Sequence, residues 1–387
     1  MTRIASKNSS RAGTYVRQST VYKAFMPSRL PPEPAIDYDD EMKDLLSKSD
    51  RALGRLDGSI QTLPNPDLFV LMYVRKEAVL SSRIEGTQAS INDVIRAEAD
   101  IPDAARPQDV SEVLNYIHAM NHGLARLHEL PLSRRLIQEI HGKLLHDVRG
   151  NKMNPGELRR SQNWIGPAGS SLADAIFVPP PFEVAEEALG DLEKFLHDDT
   201  PMPPLIRIGL AHAQFETIHP FLDGNGRMGR LLITFFLCAN DVLQKPVLYL
   251  SVYLNRHRDE YYAHLQRIRE NGDWEGWLKF FLRGVLEVAD QATQTAKDIV
   301  AMREAHWKLI AEQFGNHSGK AMRILENLYT RPTITVNEVR NLLGVSFPNA
   351  NALVEKFVAN GLLFEITGQS RNRIFQYRPY IALFANI

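Results

Sequence analysis

A chain of 387 residues is more than one ordinary hydrophobic core needs and fewer than four would take, so two or three domains are expected. Hydrophobic content of 44%, 24% charged residues and a net charge of -1 exclude intrinsic disorder and a strongly polyanion-seeking surface. No apolar run approaches the ~20 residues that cross a bilayer, and no compact apolar signal core opens the chain; a cytoplasmic protein without a membrane partner is expected.

Residues 1–30 hold six Lys or Arg and no acid. Lacking an amphipathic helical period, they read as a flexible basic arm and not as a targeting helix. Leu30-Pro31-Pro32-Glu33-Pro34 is a stiff segment, after which Asp37 to Gly54 is predicted as a first helix on the spacing of Met42, Leu45 and Leu46. A second helix is predicted from about Asp67 to Glu85, stopped by Gly86, and Ser90-Ile91-Asn92-Asp93 reads as the cap of a third. Helices over Asp109 to His128 and from Ser133 to near Gly150 follow by period.

From Asn154 to Pro181 Gly, Pro and Ser dominate, with Gln162 to Gly166 and Ala175 to Val178 placed to form a short β-hairpin flap. Helices over Phe182 to His197 and Pro204 to Ile218 come next. A helical pattern then runs with interruptions to about Phe314, its Trp274, Trp277, Phe280 and Phe281 spaced as a buried stripe. The lone cysteine, Cys238, lies in an apolar run and reads as a packed, unreactive thiol. Gly315 to Gly319 reads as a linker. Beyond it, three helices and two strand-like runs, Leu362 to Thr367 and Arg373 to Tyr377, have the order of a winged helix-turn-helix. The expected fold is mainly α, divided into an N-terminal helical region (1–108), a helical core with the short β-hairpin flap (109–314) and the winged-helix unit (318–387).

The most informative string is His219-Pro220-Phe221-Leu222-Asp223-Gly224-Asn225-Gly226-Arg227-Met228-Gly229-Arg230. Gly224-Asn225-Gly226 is able to turn successive amides into an anion-binding nest at a helix N-terminus, where free N-H groups and the helix dipole favour phosphate. Arg227 and Arg230, three apart, share a helix face and suit further phosphate oxygens. Asp223 is placed for Mg²⁺, and His219 for taking a proton from a hydroxyl. On spacing alone two readings stay open, since Asp-Gly-Asn-Gly is also ordinary turn sequence and a helix-ending His is often a cap. Zinc is disfavoured, because His212, His219 and Asp223 are scattered ligands.

This string resembles the signature of the Fic (Fic/Doc) family, His-Pro-Phe-x-Asp/Glu-Gly-Asn-Gly-Arg-x-x-Arg, at every fixed position. The resemblance implies a protein adenylyltransferase using ATP and Mg²⁺. In it His219 is general base for a Ser, Thr or Tyr hydroxyl, and Asp223 holds Mg²⁺. Gly224, Asn225, Gly226 and Arg227 hold the α- and β-phosphates, and Arg230 the γ-phosphate. It further implies that the flap around 162–178 docks the protein substrate by strand addition, and that Tyr262 and Asn271 are adenine-side contacts. Regulated members often dimerise, so a homodimer is among the expectations. Ser81-Ser82-Arg83-Ile84-Glu85-Gly86 resembles the family's inhibitory pattern. There Glu85 sits at a helix end whose dipole disfavours it by ~0.3–1 kcal/mol, and by resemblance its partner is Arg230, with Ser81 orienting the segment.

Two further functions compete: the same fold transferring UMP, phosphocholine or phosphate, or removing AMP; and a DNA-binding regulator whose core senses nucleotide. Residues 318–387 carry eight Lys or Arg and four Asp or Glu. The recognition-helix candidate Ser346 to Asn360 has Lys356 as its sole cation, with Glu355 beside it, so DNA is weakly supported as a partner.

Overall fold

The structure, a computed structural model, describes residues 9–18, 22–61, 63, 66–99, 101, 109–148, 150, 153–167, 169 and 171–385. A single turn α1 (Ser9–Ala12) leads into an antiparallel hairpin of β1 (Gly13–Arg17) and β2 (Lys23–Pro27). Then come α2 (Asp40–Gln61), α3 (Pro66–Ile84), α4 (Ile91–Glu98), α5 (Val110–Arg126) and α6 (Arg134–Leu144). Past the flap lie α7 (Phe182–Leu196), α8 (Pro204–Ile218), α9 (Asn225–Ala239), α10 (Ser251–Arg256), α11 (Arg258–Asn271) and the 40-residue α12 (Trp274–Gln313). The last part comprises α13 (Ser318–Thr330), β3 (Thr333–Thr335), α14 (Val336–Leu343), α15 (Phe347–Ala359), β4 (Phe364–Glu365), β5 (Ile374–Gln376) and α16 (Arg378–Ala385), with antiparallel sheet order β3-β5-β4.

The core is organised around α8 and α9. Every residue of α8 from Leu205 to Ile218 is buried, and α9 is nearly as dry as far as Leu237. A helix without a solvent face must be enclosed by others, and α3, α5, α6, α7, α11 and α12 supply that wall. The loop between α8 and α9 therefore hangs from two fixed ends. The aromatic stripe of α12 is core as expected, with Trp277 donating its indole N-H to the Gly209 carbonyl at 2.8 Å. Burial pushes the Cys238 thiol up to about 12, so it is a protonated, inert group at neutral pH. Among the described residues no helix is long and apolar enough to cross a membrane.

Three expectations need correction. The basic N-terminal arm is not free over its described residues: Ala24 and Phe25 are fully buried, and the Phe25 N-H donates to the Val178 carbonyl at 2.9 Å. Its anchor is Arg11, 7% exposed, which grips both Glu275 oxygens at 2.8 Å and donates to the Pro34 carbonyl at 2.7 Å. A positive run looks solvated in sequence because the neutralising carboxylate stands 264 positions away. Residues 1–8 and 19–21 of that arm lie outside the described residues. The flap, second, is barely a hairpin: one antiparallel bridge, Ile165 to Phe177, joins its sides. Third, Gly315 to Gly319 is no open linker, since a 3-10 turn over Gly315–His317 passes directly into α13.

The last part of the chain is continuous with the same core. Phe384 of α16 meets Tyr73 of α3 edge-on at 5.4 Å between centroids, and Tyr377 joins His306 of α12 by a 2.6 Å hydrogen bond. Replacing Arg11 with Ala removes a charge-assisted pair from a mostly dry site and should lower stability by about 2–3 kcal/mol. The urea midpoint would fall at unchanged slope. An unaltered midpoint would show that the hairpin does not rest on this pair.

Candidate functional site

His219 caps α8 in the left-handed region (φ 49°, ψ 60°), its N-H bonded to the Phe215 carbonyl at 2.9 Å. That backbone is uncommon for a residue with a Cβ, and three neighbours fix it. Arg159, 1% exposed, donates Nε to the His219 carbonyl at 2.9 Å, while Asn163 donates Nδ2 to the Phe221 carbonyl at 2.8 Å. Asn225 ties the loop to itself: Oδ1 accepts the Phe221 N-H at 2.9 Å and Nδ2 donates to the Phe221 carbonyl at 2.8 Å. The Asn of the motif is thus a brace as well as a member of the turn.

Beneath the loop, fully buried His141 stacks on Phe221 at 3.7 Å with 6° between rings. Its Nδ1 accepts the Gly156 N-H at 2.9 Å, which leaves Nε2-H to donate to the Asp223 carbonyl at 2.9 Å. Burial pushes this imidazole down to about 4, so it stays in the one neutral tautomer that satisfies both contacts. Gly224 follows at φ 78° and starts α9. The amides of Asn225, Gly226 and Arg227 donate to no partner among the described residues, as the first turn of a helix requires. Free amides at a helix start are the arrangement that accepts an anion.

The two arginines are not equivalent. Arg227, expected to reach phosphate, is 1% exposed and turned to Glu112, Nη1 to Oε2 at 3.0 Å, with Nη2 3.8 Å from Asp223 Oδ1. Arg230 is 3% exposed and held entirely by α3 and the chain just after it: Nε donates to Ser81 Oγ at 2.8 Å, and Nη2 to the Ser81 carbonyl at 2.9 Å and Glu85 Oε1 at 2.6 Å. Glu85 Oε1 also lies 2.3 Å from where a Cβ on Gly226 would stand. Gly at 226 is required by that close approach, and the carboxylate sits over the nest itself. Burial would raise the Glu85 carboxyl, but the charge and hydrogen bond of Arg230, with Arg227 and His219 beyond, hold it below the usual carboxylate range.

Burial and the charges of Arg269 and Arg159 push His219 down to about 3, so its ring is neutral at pH 7 and keeps a lone pair; Nδ1 is buried without a partner among the described residues. Asp223 is 40% exposed, Oδ1 accepting the Gly224 N-H at 2.7 Å. A Cβ on Gly150 would stand 2.6 Å from Oδ2, so glycine leaves this carboxylate its room. No cluster of three or more His, Cys, Asp or Glu able to hold a metal occurs among the described residues. One hard carboxylate oxygen suits Mg²⁺, which takes its remaining ligands from phosphates and water. His212 has both ring nitrogens engaged, with the Gly229 carbonyl and the Tyr261 hydroxyl, each at 2.9 Å.

Of the outlying residues, Tyr262 is 40% exposed with Arg258 5.7 Å from its ring, and its hydroxyl is raised by burial and by Glu85, which sets it on the site's flank. Asn271 is exposed at the end of α11 and makes no side-chain hydrogen bond among the described residues. Sequence reasoning missed Glu112, His141, Arg159, Asn163 and Glu216. Burial pushes Glu216 up to about 7, and its Oε1 has no partner among the described residues. Glu216 alone carried a local signal, being three residues before His219 on one helix face; the others meet the loop only through tertiary contacts.

Residues 43–125 match the Fic/DOC family N-terminal domain, and residues 131–237 match the Fic/DOC family domain. Over 196 residues the chain is 28% identical to the protein adenylyltransferase fic-1 of Caenorhabditis briggsae, a stretch covering 50% of this chain and 34% of that protein. Over 222 residues it is 29% identical to the protein adenylyltransferase Fic of Drosophila willistoni, covering 54% and 41%. The chain therefore spans less than half the length of these two curated relatives. A solved Fic family protein from Desulfovibrio desulfuricans shares the fold, with a TM-score of 0.57 at 16% identity over 88% of this chain and 97% of that one.

The pairing of Glu85 has a pH signature. A carboxyl whose folded pKa is depressed contributes stability that is present above its unfolded pKa and is lost as pH falls through the folded one. Wild type should exceed Glu85→Gln by about 1–2 kcal/mol at pH 7 in urea melts. That gap should close on acidification below about pH 4. A gap constant down to the acid limit of folding would contradict an ionised Glu85 on Arg230.

Proposed function

The chain belongs to the Fic family, and on that premise we propose that it is an autoinhibited protein adenylyltransferase moving AMP from ATP to a Ser, Thr or Tyr hydroxyl of a protein. The observation that carries the reading is Glu85 on Arg230 at 2.6 Å, with the same carboxylate over Gly226. A negative group belongs at that point, and in the resting chain the chain itself provides it.

In the active arrangement the free amides of Asn225, Gly226 and Arg227 hold phosphate oxygens at the start of α9. With Glu85 withdrawn, Arg230 exchanges a carboxylate for the γ-phosphate. Neutral His219 takes the proton of the acceptor hydroxyl, whose oxygen bonds to the α-phosphorus as the α-β bridging bond breaks and pyrophosphate leaves. Asp223 would hold Mg²⁺, which supplies charge neutralisation to the phosphates. Arg227, already paired with Glu112, acts here through its amide and through the positive potential it keeps under the nest. Exposed Trp164 and Ile176 on the flap support docking of a protein segment beside His219, and Tyr262 supports a base contact on the opposite flank.

The remaining proposals concern organisation. The reading divides the chain at about 1–108, 109–314 and 318–387. The order α13, β3, α14, α15, β4, β5 supports a winged helix in the last unit. Arg373 spends its guanidinium on Glu355 and Asn351 of α15, at 2.8 and 3.0 Å, which favours packing over phosphate binding by that wing.

Incubation with labelled ATP, UTP and GTP tests the reading. Glu85→Gly should incorporate label from ATP at least about tenfold faster than wild type, equal to ~1.4 kcal/mol. Adding Arg230→Ala should cancel the gain, and His219→Ala should abolish transfer while nucleotide affinity stays near normal. Equal rates for wild type and Glu85→Gly, with His219→Ala dead, would reject autoinhibition and leave the chemistry standing. Label taken only from UTP or GTP would reject ATP as donor.

A further inference from the structure

Helix α3 has two working faces. Glu77 and Ser81, with Glu85 one turn on, follow i, i+4 spacing toward Arg230 and the interior. Lys76, Val79, Leu80 and Arg83 follow i, i+3, i+4, i+7 on another face, and that face lines a cavity of about 130 Å³ between α3, the start of α4 and Ile381 and Phe384 of α16.

The charged groups lining this cavity, Lys76 and Arg83, are both cations. Lys76 is 6% exposed, and its ammonium makes no hydrogen bond or ion pair among the described residues; its recorded contact is the Tyr73 ring, 5.4 Å away. A buried cation without an anion is costly and rare. Burial, helped by the charge of Arg256, pushes Lys76 down to about 8. Arg83 is exposed at the rim without a partner among the described residues. From the other wall comes the N-terminus of α4, where the amides of Ile91 and Asn92 donate to no described group. The acid of that first turn, Asp93, is turned back onto Ser90, accepting its N-H at 2.8 Å and its hydroxyl at 2.6 Å. Asn92 Oδ1 faces Gln376 at 3.4 Å, which leaves its amide donors unused.

We propose that the cavity between α3, α4 and α16, with Lys76, Arg83 and the α4 amides as its donors, is a binding site for a phosphate group, separate from the nest at α9. Donors from a helix start, a buried ammonium and a rim guanidinium suit a compact oxyanion, and the volume limits the guest to about that size. The apolar remainder, Phe384 and Ile381, belongs to the last part of the chain. An anion there ties α4 and α16 to the helix whose other face bears Ser81, so the site is placed to influence how α3 holds Arg230.

The test uses the full chain with inorganic phosphate and pyrophosphate as separate probes, titrated at fixed ionic strength against chloride and read by calorimetry and melting temperature. The wild type should show saturable phosphate binding that survives Gly226→Ala, which puts a methyl group over the nest where Glu85 Oε1 now stands. Lys76→Met and Arg83→Gln should each weaken this binding at least about tenfold. Folding failure is separable, because removing an uncompensated buried charge should leave Lys76→Met at least as stable as wild type in chloride. Pyrophosphate bound in place of phosphate, with the same dependence on Lys76, identifies the larger anion as the guest and supports the site. Undiminished binding in Lys76→Met, or wild-type binding that vanishes entirely with Gly226→Ala, would overturn it.

Discussion

A guanidinium 3% exposed at the centre of a helical bundle must have an anion, and the organisation of this protein follows from which anion Arg230 has. Arg230 lies on the first turns of α9, so its head is fixed relative to the nest amides by one helix. Ser81 takes Nε and half of Nη2, which orients the fork; the last position is filled by Glu85. Removing Glu85 from that position without a replacement would strand a buried charge. A phosphate in its place costs no such penalty, because one oxyanion replaces another and the other bonds of the guanidinium remain. On the proposed reading, Arg230 keeps an anion in both arrangements, so neither strands its charge.

The exchange requires movement at only one end of α3. Its last bonds are already of the tighter i, i+3 kind, with the Glu85 N-H on the Ser82 carbonyl at 3.0 Å and the Gly86 N-H on the Arg83 carbonyl at 2.9 Å. Gly86 then turns at φ 101° with open space around it. Ser82 Oγ and Thr87 Oγ1 are buried on either side without partners among the described residues. A turn with weak backbone bonds, a glycine exit and unsatisfied hydroxyls costs little to rearrange. The other end of α3 differs, since Phe69 and Tyr73 are locked in the aromatic cluster with Tyr249 and Phe384.

Much of this was legible in the sequence, for reasons that mark its limits. Periodicity located α3, α5, α7 and α8 to within two residues, because each buries a stripe or a whole helix, whereas α2 runs on to Gln61 past the expected Gly54 and α6 stops at Leu144 short of the expected Gly150. Ser90 announced α4 through a capping box that the structure contains, and the motif loop was legible because its chemistry is local: glycines for the turn, an acid before it, arginines at helical spacing after it. What failed was non-local. Arg11 looked like a solvated charge until Glu275 was beside it, and no local signal announced the pair of Arg227 with Glu112. The flap's two runs had strand composition, but one bridge joins them among the described residues, and the second run turns elsewhere: the Val178 carbonyl accepts from Phe25 of β2, and the Pro179 and Pro180 carbonyls just beyond it accept from Gln162 and Arg159.

The same distinction explains why His141 matters although nothing in its surroundings advertises it. The loop holding His219 and Asp223 has a left-handed residue at its entrance, so its shape must be imposed from outside. His141 supplies a flat face to Phe221 and one N-H to the Asp223 carbonyl, and it is itself held by the Gly156 amide. A second hold comes from Arg159 and Asn163 at the base of the flap. On the proposed reading, a segment docked on the flap would pull on groups that bond the His219 and Phe221 carbonyls directly, so the same few hydrogen bonds that fix the imidazole would also position a target against it.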